Sequence, residues 1–103
     1  VAGAALLTAL GAMRAGAGRL QIATVVSAAP GLSISMPEAM VTGMAEGRDG
    51  GFAPSTVRPL AERAAKADVV VAGPGMRGNG SSAKLAAALA GNGNRLVLDA
   101  ALL

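Results

Sequence analysis

The sequence predicts an α/β fold, a parallel sheet layered between helices, and three observations carry that prediction. Short runs rich in β-branched residues alternate with Ala- and Leu-rich helical runs, as in repeated βαβ units. Two of those runs, "DVVVAG" (68–73) and "RLVLDA" (95–100), lack polar alternation, the mark of a strand covered on both faces. A glycine loop, with Gly73, Gly75 and Gly78, follows the first of these, at a strand end where such sheets place their ligands.

Taken in order, "GAALLTALGAMRAGAG" reads as a helix that is apolar on nearly every side, with Thr8, Gly11 and Arg14 as its thin polar stripe. Gly16 and Gly18 supply its stop. "RLQIATV" is a short strand whose buried positions are Leu20, Ile22 and Val25. "SAAPGLSIS" is a weak helix or an irregular connection, broken by Pro30 and Gly31, and "PEAMVTGM" is a further strand. Residues 45–53, "AEGRDGGFA", turn polar and glycine-rich, so a surface loop or a disordered segment is expected. Pro59 suits the first turn of the next helix, which sets Leu60, Ala61, Ala64 and Ala65 opposite Arg63 and Lys66. Ser81 or Ser82 is placed to cap "AKLAAALAG" before the last strand. The ligand side then comprises residues 24–27, 73–80 and 99–101.

Composition narrows the chemistry. The chain has 103 residues, enough for one domain of modest core. Hydrophobic residues make up 52% but aromatics only 1%, so small aliphatic side chains must fill the interior. With no cysteine and no histidine, disulfides, thiolate chemistry and the usual general base are excluded. The net charge of +3 is spread over single basic residues without aromatic platforms, which argues against nucleic acid as a partner. The apolar run from Val1 to Met13 is too short to span a bilayer and has no basic segment before it, so a cytoplasmic protein without a membrane partner is expected. The sequence opens inside a helix-like run without methionine and stops just after a strand-like one. Residues 1–103 are therefore expected to form a single partial domain whose ends cut through a fold.

Gly73, Gly75 and Gly78 spell G-x-G-x-x-G between a strand and a helix, and Asp99 ends the next strand, which together match the dinucleotide-binding fingerprint of Rossmann folds. Pro74 fixes φ inside that loop and removes an amide, while Asn79 and Gly80 displace the third glycine from the helix start. A plain strand-to-helix turn is the alternative.

A wider pattern covers nearly the whole chain. "AGAALLTALGAMRAGAGRLQIAT", "MPEAMV", "ADVVVAGPGM" and "RLVLDAALL" follow one another in an order and spacing that resemble the ADP/ATP-dependent NAD(P)H-hydrate dehydratases, nicotinamide-nucleotide repair enzymes of the ribokinase-like superfamily. The resemblance implies a three-layer αβα, Rossmann-like sheet and a reaction in which ADP or ATP is hydrolysed while water is eliminated from hydrated NADH or NADPH. It places substrate along the helix start Gly3, Ala4 and Ala5, the turn Gly73, Pro74 and Gly75, and Asp99. A helix N-terminus offers unpaired amides to a pyrophosphate, and glycine permits close backbone approach. Asp99 could bind a hydroxyl, position a metal-bound phosphate, or simply cap a following helix.

By the same resemblance, the family's first strand would lie before Val1. Its "HPGE" segment, adenine-nucleotide loop and catalytic aspartate would lie beyond Leu103, so no catalytic residue and no metal ligand can be named here. ADP or ATP, with Mg2+, would bind outside these residues, and the intact protein is expected to form a homo-oligomer. Vitamin kinases of the same superfamily share the layout. Two other readings stay open: a non-catalytic α/β domain that binds a nucleotide or a partner, and the NAD-binding module of an oxidoreductase.

Overall fold

The computed structural model describes residues 2–73, 80–91 and 95–98. Helix α1 (Ala2–Arg14) leads to strand β1 (Gln21–Val25), helix α2 (Ala29–Ser35) and strand β2 (Met40–Met44). A short 3-10 turn (Pro54–Thr56) runs into helix α3 (Val57–Ala65), and strand β3 (Val69–Ala72), helix α4 (Gly80–Ala90) and strand β4 (Arg95–Leu98) complete the order. β1 pairs with β2 and β3 with β4, each pair parallel, with registers that set Val25 beside Met44 and Ala72 beside Leu98. The strands expected within "RLQIATV", "PEAMVTGM", "DVVVAG" and "RLVLDA" are thus present, each in a parallel ladder.

Local chemistry accounts for the boundaries. α1 ends in a Schellman motif: Gly16 stands at φ +102° and donates to the Met13 carbonyl, and Ala17 donates to the Ala12 carbonyl at 3.1 Å. Arg14 lies in that last turn, where its charge suits the helix dipole. Pro30 sits in the first turn of α2, where its missing N–H costs no helical bond, so a segment expected to be weak forms a complete short helix. Its Leu32 and the following Met36 are the most deeply buried large side chains among the described residues.

The main core cluster is Leu60 and Ala64 of α3 with Leu85 and Leu89 of α4. Ala23, Met44, Val70, Ala72, Leu96 and Leu98 pack against it, so all four strands present one face to this helix pair. Gly43, which alternates with Met44, faces the other way and meets Val26 and Ala29 at the start of α2. β1 and β2 therefore lie between helices, with α1 packed on α2.

Several expectations need correction. The valine run of β3 is not covered on both faces by the described residues: Val70 and Ala72 face the core, whereas Val69, Val71 and the neighbouring Val97 are about half exposed. Both α3 and α4 lie on the inner side, and an unbroken β-branched run cannot say which side lacks a helix. Of the polar stripe of α1, Gly11 and Arg14 are exposed as expected, but the Thr8 hydroxyl donates to the Ala4 carbonyl at 2.9 Å and is half-buried, while Leu7 is exposed. Ser81 and Ser82 lie inside α4 rather than ahead of it, and Ser82 is buried. Ala65 points to solvent.

Residues 45–53 form an ordered hairpin instead of a loose loop. Glu46 and Phe52 make an antiparallel bridge, Ala53 donates to the Ala45 carbonyl at 2.9 Å, and Gly47 donates to the Gly51 carbonyl at 2.7 Å. Gly50 supplies the positive φ at its tip, and the Asp49 carboxylate accepts the Gly51 amide at 3.0 Å.

Candidate functional site

In parallel α/β sheets the polar main-chain groups beyond the strand carboxyl ends are left free of the ladder, and ligands collect there. Here those ends are Val25, Met44, Ala72 and Leu98. Gly73 follows β3 directly. It is buried and stands at φ +120°, a conformation that a residue with a Cβ rarely adopts, so the chain leaves the strand by a turn that depends on glycine. Gly75 and Asp99 lie outside the described residues.

Gly3, Ala4 and Ala5 occupy the first turn of α1, where backbone N–H groups have no partner within the helix. Gly3 is exposed, and a Cβ built on it would meet no atom of the described residues within 4 Å. Ala4 and Ala5 are half-buried.

The sequence reading set residues 24–27 on the ligand side but missed the partner that holds this turn from across the sheet, Glu46. Val26 donates its amide to the Met44 carbonyl at 2.9 Å, and Ala28 donates to the Val25 carbonyl at 3.0 Å. Between them, the Ser27 amide donates to Oε1 of Glu46 at 2.6 Å. A carboxylate two residues past the end of β2 was the available signal, but the bond spans nineteen residues of sequence and no local pattern announces it. Among the described residues no group of three acidic, histidine or cysteine side chains gathers to hold a metal ion, and no helix is long and apolar enough to cross a membrane.

Residues 1–103 match, over their whole length, the family described as NAD(P)H-hydrate dehydratase. The chain belongs to that family. Among curated proteins it is 42% identical over 85 residues to an ADP-dependent (S)-NAD(P)H-hydrate dehydratase of Xanthomonas campestris pv. campestris, an alignment covering 82% of this chain and 29% of that protein. The fold resembles the crystal structure of a ribokinase-like superfamily protein from Enterococcus faecalis, with a TM-score of 0.75 and 22% identity, covering 97% of this chain and 33% of the other. The chain thus spans about a third of the length of both relatives. The fold class expected from the sequence is the ribokinase-like α/β fold found. Family membership also displaces the oxidoreductase reading of the G-x-G-x-x-G loop.

Proposed function

We propose that these residues form the substrate-side part of a dehydratase that uses ADP or ATP to return hydrated NADH or NADPH to the reduced dinucleotide. The observation that carries this reading is the 42% identity to an ADP-dependent dehydratase across 85 residues of the segment that holds the strand-end turn. A hydroxyl on a reduced nicotinamide ring is a poor leaving group; transfer of a phosphoryl group to its oxygen lets it depart as phosphate. Donor binding and transfer fall to parts of the protein outside these residues, and the same is proposed for Mg2+. This chain's share is to bind and orient the dinucleotide.

Gly3, Ala4 and Ala5 contribute the free amides of a helix start, which suit a pyrophosphate. Gly73 and Gly75 allow main chain to approach the ligand, and Asp99 accepts a hydrogen bond from a substrate hydroxyl. The protein is further proposed to act in the cytoplasm as a homo-oligomer.

The test uses the full-length protein that carries this segment. Hydrated NADPH should regain its dihydronicotinamide absorbance when ADP or ATP is added with Mg2+, and should not without the nucleotide. Failure to restore NADPH with either donor, or restoration without one, overturns the proposal. Size-exclusion chromatography with light scattering checks the oligomer.

A further inference from the structure

The turn after β1 is held by more than its own chain. Three successive amides, those of Val26, Ser27 and Ala28, are each engaged, and only the middle one relies on a side chain. That side chain belongs to Glu46, whose backbone is fixed in the hairpin by its bridge to Phe52. Phe52 in turn packs against the core cluster of α3 and α4. The carboxylate is therefore anchored to the core at one end and grips a rim turn at the other. Gly43 adds a second constraint: a Cβ there would lie 3.1 Å from the Val26 Cα, so a side chain at this position would press the turn away from β2 by a few tenths of an ångström.

We infer that Glu46 is a positioning residue, tying the turn at residues 26–28 to the hairpin at 45–53 so that the carboxyl ends of β1 and β2 present one fixed surface to the dinucleotide. The inference rests on the proposed dehydratase reading for its ligand, but the tie itself rests on geometry alone. An N–H···O⁻ bond of 2.6 Å is short for its class and restricts the turn in direction as well as distance. It is also solvent-exposed, so its loss changes the shape of the rim far more than global stability. The two oxygens of a carboxylate and the one oxygen of a carboxamide can both accept the Ser27 amide, which separates the role of the bond from that of the charge.

The experiment compares Glu46→Ala and Glu46→Gln in the full-length protein, with KM and kcat for hydrated NADPH and the hydrogen-exchange rate of the Ser27 amide as readouts. Glu46→Ala should raise KM roughly tenfold with kcat nearly unchanged, the pattern of lost binding rather than lost chemistry. It should also accelerate exchange at Ser27, while Glu46→Gln keeps both near the starting values. Unchanged exchange at Ser27 in Glu46→Ala overturns the tie. Faster exchange with an unchanged KM overturns its role toward substrate, and equal damage from Glu46→Gln shows that charge, not the bond, matters. Absence of any turnover in the unsubstituted protein would sink the dehydratase reading instead, and the exchange rates would still decide the tie.

Discussion

Replacing Gly73 by alanine tests whether the exit from β3 is built on glycine for a ligand or only for a turn. At φ +120° an L-residue stands in sparsely populated backbone space, at a cost of about 1–3 kcal/mol. Alanine recovers about 0.4–1 kcal/mol by narrowing the unfolded ensemble. The net loss should then be about 1–2 kcal/mol, with burial of Gly73 leaving little room for relaxation. Gly16→Ala is the matched control: φ is +102°, the position is exposed, and a Cβ there meets no atom of the described residues within 4 Å. It lies past the far end of α1, about 20 Å along the helix from Gly3. Both variants of the full-length protein should lose comparable stability in urea, with the slope m unchanged. Only Gly73→Ala should also weaken binding of hydrated NADPH, by about tenfold if a further 1.4 kcal/mol is lost against the ligand. Titration by calorimetry separates the cases. Wild-type stability of Gly73→Ala would refute the strain argument, and equal affinity in the two variants would reduce Gly73 to a structural turn.

Further substitutions probe the scaffold. Gly43→Ala brings a methyl to 3.1 Å from the Val26 Cα and 3.4 Å from the Ala29 Cβ, so it should destabilise by about 1–2 kcal/mol in urea unfolding, as overpacking does. Leu85→Ala removes a side chain only 4% exposed from the cluster with Leu60, Ala64 and Leu89 and should cost about 2–5 kcal/mol by the same measurement. Arg58→Ala breaks an ion pair of 3.5 Å to Glu62, but the two side chains are 91% and 69% exposed, so the unfolding free energy in urea should change by no more than about 0.5 kcal/mol. Residues 1–103 produced alone should self-associate in light scattering, since Val69, Val71 and Val97 offer an apolar sheet face, and should show no turnover with ADP or ATP.

The elements readable from sequence are those whose cause is local. Gly16 announced the end of α1 because a Schellman turn needs a positive φ two residues past the last helical residue, and Arg14 in that last turn agreed with it. β3 and β4 were readable from their valines and leucines, because a short strand declares itself by residue type. What failed depended on hydrogen bonds that residue type does not announce, even between near neighbours. Thr8 looked like a solvent-facing residue until its hydroxyl found the Ala4 carbonyl, and the hairpin at 45–53 is held largely by main-chain bonds, which leave no periodic pattern.

The same division runs through the candidate site. Gly73 was legible because positive φ at a strand exit selects for glycine, but that pressure is conformational and exists whatever ligand lies beyond the turn. The three-glycine spelling therefore could not distinguish a bound cofactor from a bound substrate. What several weak pieces in fixed order made legible, from the helix start at Gly3 to the strand ending at Leu98, was the family, because their order reflects a topology and the topology decides which loops share a rim. Glu46 shows the limit of that logic. Its neighbours in sequence mark it as a loop carboxylate and nothing more, while its function in the fold is set by an amide on another strand's exit, a relation that exists only once β1 and β2 are paired in register.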